Sequence, residues 1–183
     1  MGSAPFFGGD MRRENIVLIG MPASGKSTAG VVLAKVLGMD YIDTDLVIQS
    51  REGMRLSEIL EKKGLDAFIR IEGESVMSID PHHAVIATGG SVIYHEAAMA
   101  YLKQKGVIVY MKVEKEALFR RLKNIRQRGV ALGEGETLED MYAHRAPLYE
   151  KYADIVVSED GYTLEATVRN IVRKTGESHA LKV

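Results

Sequence analysis

Nine residues, Gly20-Met21-Pro22-Ala23-Ser24-Gly25-Lys26-Ser27-Thr28, dictate the chain's local course around them. They fit G-x-x-x-x-G-K-[ST]. An apolar run, Ile16 to Ile19, leads in, and a helical pattern, Ala29 to Leu37, leads out. That strand–loop–helix setting makes the motif a P-loop. Glycines at Gly20 and Gly25 let the amides of Ala23, Ser24 and their neighbours close around phosphate oxygens. The helix N-terminus at Ser27 and Thr28 adds its partial positive charge. Lys26 is expected on the β- and γ-phosphates, and Ser27 on Mg²⁺. The other reading, a glycine-rich turn that binds nothing, does not call for the lysine and the hydroxyl in sequence. The motif implies a nucleoside triphosphate.

The rest of the chain alternates apolar runs with helical patterns. Strands are expected at Asn15–Gly20, Tyr41–Asp43, Ala84–Thr88, Val107–Val113 and Asp154–Val157. Helices are expected around Lys26–Leu37, Leu46–Ser50, Ser57–Glu61, Leu65–Ser78, His95–Lys105, Lys115–Lys123, Leu138–Tyr152 and Leu164–Lys174. Thr163 is the expected cap and Gly176 the expected stop of the last helix. The strands are continuously apolar, as in sheets covered on both faces. The expected fold is therefore an α/β three-layer sandwich around a five-stranded parallel sheet, with ligands at the carboxyl ends of the strands. No internal repeat or interdomain linker appears, so residues 11–183 read as one domain. Met1 to Asp10 reads as a disordered lead, with Met11 an alternative start. The stretch Gly129 to Glu136 has three glycines and no periodicity, and reads as a mobile surface loop and a candidate lid, about 124–136.

Composition narrows the partners. A net charge of −1 over 183 residues gives no attraction to nucleic acid or an acidic membrane surface. There is no cysteine, hence no disulfide and no thiolate metal site. No apolar run is long enough to span a bilayer. A cytoplasmic monomer acting on a small molecule is the expectation.

Several side chains carry chemistry. In Asp43-Thr44-Asp45, alternate residues on a strand would turn both carboxylates toward the P-loop, one for Mg²⁺ and one for the proton of an attacking hydroxyl. A helix cap is the plainer reading of such a pair. Thr88-Gly89-Gly90-Ser91 follows a strand and lets a substrate lie against the backbone, or serves only as a tight turn. Arg70 and Glu74 stand four apart on a helix and suit a surface pair. Arg126 and Arg128 flank the glycine-rich loop and could swing onto the triphosphate. Arg145 precedes Pro147, which should kink or interrupt its helix and leave the arginine free to grip an anion. His82 and His83 read as exposed loop residues. Tyr142, Tyr149 and Tyr152 read as packing.

Taken in order, these motifs resemble the shikimate kinase family of P-loop kinases, over about Asn15 to Val157. The resemblance also rests on Phe68 to Glu72, on Val109-Tyr110-Met111 and on Arg145 to Tyr149. It implies a kinase with a mobile lid that moves the γ-phosphate of ATP, with Mg²⁺, to a hydroxyl of a small metabolite. By position it implies Lys26 on the phosphates, Ser27 and Asp43 at magnesium, and Asp45 as base at the acceptor hydroxyl. Gly89, Gly90 and Ser91 would line the acceptor pocket with Glu72 and Arg70. Arg126 would be the lid arginine, Arg145 the carboxylate clamp, and Arg120 or Arg121 would lie along the adenine. The sequence departs from the family at three places. An arginine usual after the phenylalanine is Ile69, and Arg70 lies about 100° round the helix. The third glycine is Ser91, and the lid reads Arg126-Gln127-Arg128-Gly129. One missing arm of a charged clamp weakens carboxylate binding by about 1.5–3 kcal/mol. The departures therefore admit another acceptor, such as homoserine, with its ammonium on Glu72. A non-catalytic ATP switch is disfavoured by Asp45.

Overall fold

The computed structural model describes residues 14–122, 130–158 and 163–180. The expected disordered lead, Arg126 and Arg128 lie outside the described residues. Five parallel strands form one sheet in the order β2-β3-β1-β4-β5. They are β1 Asn15–Ile19, β2 Asp40–Asp43, β3 Ala84–Ala87, β4 Gly106–Lys112 and β5 Ile155–Ser158. The helices among the described residues are α1 Lys26–Leu37, α2 Thr44–Glu52, α3 Leu56–Lys63, α4 Leu65–Ser78, α5 Glu96–Lys105, α6 Lys115–Arg121, α7 Leu138–Tyr152 and α8 Leu164–Ala180. A 3-10 turn, Val92–Tyr94, follows β3.

Alternation along each central strand sends neighbours to opposite faces. Ile16 and Leu18 of β1, with Val107, Val109 and Met111 of β4, meet Leu33 of α1 and Ile171 of α8. Val17 and Ile19, with Ile108 and Tyr110, meet Met99 of α5 and Met141 of α7 on the other side. Both faces are buried, which is why β1 and β4 read as unbroken apolar runs. A smaller cluster of Ile48, Ile59, Phe68, Ile71 and Ala131 joins α2, α3 and α4 beyond the sheet edge. β1 pairs with β3 on one side and β4 on the other, so the loops after β1 and β3 open side by side.

Three expectations are corrected. β2 ends at Asp43, and Asp45 lies in the first turn of α2, because Asp43 Oδ1 accepts the Asp45 amide at 3.0 Å and caps the helix. Strand alternation therefore does not apply to the pair. α7 runs unbroken through Pro147. A capping box of Thr137 and Asp140 starts it, and buried Tyr149, stacked on Tyr110 with ring centroids 5.1 Å apart, anchors it beyond the proline. α8 continues past Gly176 to Ala180, while Thr163 does cap its start through the Ala166 amide. In the described part of the candidate lid, Ala131 is buried in the α2–α4 cluster.

Candidate active site

The loop after β1 is preset for an anion. Gly25, in the left-handed region at φ 90°, is the N-cap of α1 and offers no side chain, and the first turn holds no acid. The helix amides there are open to a ligand. Lys26 is buried and folds back, its Nζ donating to the carbonyls of Gly20 at 2.8 Å and Met21 at 2.7 Å. Ser24 is buried beside it, with Oγ 3.4 Å from Nζ. Ser27 and Thr28 are exposed at the helix start.

This loop forms one wall of a cavity of about 400 Å³, whose other walls are Asp45, Phe68, Glu72, Gly89, Ser91 and Arg145. Gly89 lies against two carboxylates. A methyl group there would meet Glu72 Oε1 at 2.0 Å and Asp45 Oδ1 at 2.9 Å, so any side chain at this position must displace those carboxylates. The loop is fixed from four sides. Thr88 Oγ1 donates to the Leu18 carbonyl at 3.0 Å, the Gly89 amide donates to Thr44 Oγ1 at 3.2 Å, Tyr149 donates to the Gly90 carbonyl at 2.6 Å, and Ser91 donates to Glu72 Oε2 at 2.5 Å.

The electrostatics follow from burial. Asp45 is raised to about 6, by desolvation first and by neighbouring Asp43 next, against the opposing pull of Lys26. Glu72 is raised to about 8 by desolvation, although the Ser91 hydroxyl holds it down. Among the described residues its Oε1 has no hydrogen-bond partner. Arg145 is 1% exposed; Nη2 donates to the Ala131 carbonyl and the guanidinium lies 5.4 Å over the Tyr94 ring, while Nε and Nη1 have no partner among the described residues. A buried cation with two unmet donors has the chemistry to take an anion. On its far side Arg145 borders a second cavity of about 540 Å³, with Ile69 and Tyr94 among its walls.

The remaining expected residues separate. Arg70 is exposed and lines neither cavity, because α4 turns Phe68 and Glu72 inward and so turns Arg70 out. Asp43 does not line the cavity either. Its Oδ2 lies 3.1 Å from the Tyr41 hydroxyl, which also reaches the Ser27 carbonyl at 3.2 Å, so Tyr41 ties Asp43 to the start of α1. Burial and Asp43 push Tyr41 up to about 12, keeping that hydroxyl a donor. Arg120 is exposed, whereas Arg121 Nη1 reaches the Ala23 carbonyl at 3.4 Å. Sequence reasoning missed Thr44 and the site role of Tyr149; the four-residue spacing of Tyr149 from Arg145 on one helix was the available signal.

The family model of shikimate kinase matches residues 22–175. The chain belongs to the shikimate kinase family. A shikimate kinase from Thermodesulfovibrio yellowstonii is 38% identical over 164 residues, 88% of this chain and 94% of that protein. Shikimate kinase from Acinetobacter baumannii in complex with shikimate superposes with a TM-score of 0.83 at 27% identity, covering 92% of this chain and 96% of that one. The Aquifex aeolicus shikimate kinase gives 0.77 at 31% identity, covering 92% and 99%. Like the rest of its family, the chain is an ATP-dependent phosphotransferase acting on a hydroxyl. Nothing in these findings favours homoserine or a non-catalytic switch. Among the described residues no group of three or more His, Cys, Asp or Glu could hold a metal, and no helix is long and apolar enough to cross a membrane.

Proposed function

We propose that the chain transfers the γ-phosphoryl group of ATP to a hydroxyl of shikimate, with Asp45 as the base. The observation that carries this reading is the convergence of Asp45, Glu72 and the unmet donors of Arg145 in one cavity walled by the P-loop. The triphosphate lies along the amides of Ala23 to Thr28, and Lys26 exchanges its loop carbonyls for phosphate oxygens. Arg145 takes the acceptor carboxylate through Nε and Nη1. Asp45, poised near neutrality, accepts the proton as the acceptor oxygen bonds to the γ-phosphorus and the bond to the ADP oxygen breaks. Gly89, Gly90 and Ser91 bring backbone close to the acceptor, and Arg126 supplies charge from the lid. The relative from Acinetobacter supports the acceptor, being a complex with shikimate.

The donors at the start of α1 suit Mg²⁺. Ser27 contributes a hydroxyl there, and Asp43 stands behind Tyr41, so a hard cation keeping most of its own waters fits better than a protein-built cage. When bound, the ion neutralises charge on the phosphates. The test is ADP release from MgATP with shikimate, with homoserine and with no acceptor. Release that depends on shikimate alone is expected; release with homoserine alone, or with neither, overturns the reading.

A further inference from the structure

Glu72 is 1% exposed, and among the described residues its single hydrogen-bond donor is the Ser91 hydroxyl on Oε2, at 2.5 Å. Its other oxygen, Oε1, is unpartnered and abuts Gly89 beside Asp45 Oδ1. Charged groups face it from several elements: Asp45 from α2, Lys26 from α1 and Arg145 from α7. The His95 ring packs on neighbouring Gly73, and Arg51 pairs with Glu74 on the outer face of α4 at 3.5 Å. Among the described residues, neither cation in the cavity has Oε1 as a partner. Lys26 turns to the P-loop carbonyls, and Arg145 donates to Ala131. An ionised Glu72 would therefore hold a bare oxygen, out of water, against a second carboxylate.

Resting on the function proposed above, we infer that burial keeps Glu72 neutral and that Ser91 is a positioning residue: by occupying Oε2 it leaves the carboxyl proton on Oε1, which aims Glu72 as a donor into the acceptor cavity. The chemistry is one of exclusion. A carboxylic acid carries one proton, and an oxygen already accepting a hydroxyl at short range is the poorer place for it. The proton faces the cavity, where its partners are Asp45 or a lone pair of the bound acceptor. The elevated titration of Glu72, to about 8, agrees with this assignment. A neutral donor reads an oxygen: a second hydroxyl of the acceptor, next to the one held by Asp45, satisfies it. An ammonium gains nothing from it, so the same device selects a polyol acceptor over an amino acid.

The experiment combines kinetics and infrared spectroscopy on the full chain. Ser91 has φ −98°, so alanine enters without backbone strain. Ser91→Ala is expected to raise the shikimate KM about tenfold, the worth of one hydrogen bond, with the ATP KM held within about twofold. Glu72→Gln, which keeps a neutral donor, is expected to raise it by less than about fivefold, and Glu72→Leu by more than about fiftyfold. At neutral pH the wild-type infrared spectrum should hold a protonated-carboxyl band that vanishes in Glu72→Gln and moves in Ser91→Ala. Absence of that band, or Glu72→Gln as damaging as Glu72→Leu, overturns the inference. A lower melting temperature in Ser91→Ala with an unchanged shikimate KM also overturns it, as that is the mark of a merely structural residue. The band without any shikimate turnover supports the proton assignment and overturns the proposed function instead.

Discussion

Replacing Arg145 with methionine separates binding from folding. The side chain is fully enclosed, yet among the described residues two of its donors meet nothing. Each unmet buried donor costs about 1–3 kcal/mol, so the pair destabilises the empty protein by about 2–6 kcal/mol. Against that stand one charged hydrogen bond to Ala131, about 1.5–3 kcal/mol, and the Tyr94 face, about 0.5–2 kcal/mol. The two sides nearly offset. Methionine is unbranched and fills the space of the arginine stem without the charge. The ligand-free Arg145→Met protein should thus melt within about 8 °C of wild type, a change of at most about 2 kcal/mol. Acceptor binding behaves differently. Two charge-assisted bonds to a carboxylate, at about 1.5–3 kcal/mol each, correspond to a rise of about 10²–10⁴ in the shikimate KM. The assay is a thermal melt of each protein alone, with shikimate and with MgATP, beside steady-state kinetics. Wild type should be stabilised by either ligand, and the variant by MgATP alone. A variant that unfolds when empty, or that keeps its shikimate-induced shift, would refute the reasoning.

Three further outcomes follow from the geometry. Gly89→Ala drives a methyl group into Glu72 Oε1 and Asp45 Oδ1, at 2.0 and 2.9 Å; turnover should fall at least about tenfold with about 1–3 kcal/mol of strain, read by kinetics and denaturant melts. Tyr149→Phe leaves the Gly90 carbonyl without its 2.6 Å donor, so it should lose about 1–3 kcal/mol of stability and raise the shikimate KM more than the ATP KM. Glu72 sets a pH dependence. Its acid is held protonated up to about 8 in the fold, against 4.5 for an ordinary glutamate, so the folded chain binds the extra proton between those values and wild-type stability falls as pH rises through that window. Glutamine never ionises, so the stability of Glu72→Gln relative to wild type should climb across the window and be flat below it, as checked by urea melts at stepped pH.

The sequence was most legible where periodicity and burial agree. β1, α1, α4 and α7 stand where the patterns put them, because each is either a fully buried strand or a long helix. It was least legible where a side chain outcompetes a pattern. Asp45 reads as a strand residue until the Asp43 carboxylate is seen accepting its amide, which ends the strand and starts α2. Pro147 reads as a break, but packing of Tyr149 on Tyr110 and the bond to Gly90 hold the helix through it. In the site, Lys26, Asp45, Gly89, Glu72 and Arg145 were nameable from motifs and come together in one cavity. The contact of Ser91 with Glu72 was not, since residues nineteen apart meet only through the packing of α4 on the loop after β3. Arg70 shows the limit of motif spacing: one residue from an inward position, it faces solvent.

The most direct test of the account is a single-turnover experiment with γ-labelled ATP prebound to the protein and mixed with shikimate, in wild type and in Asp45→Asn. The account predicts label appearing on shikimate with wild type, and a rate about 10²–10⁴-fold slower in the variant with ATP affinity retained. Label that never reaches shikimate, or that reaches it equally fast without the Asp45 carboxylate, would contradict it.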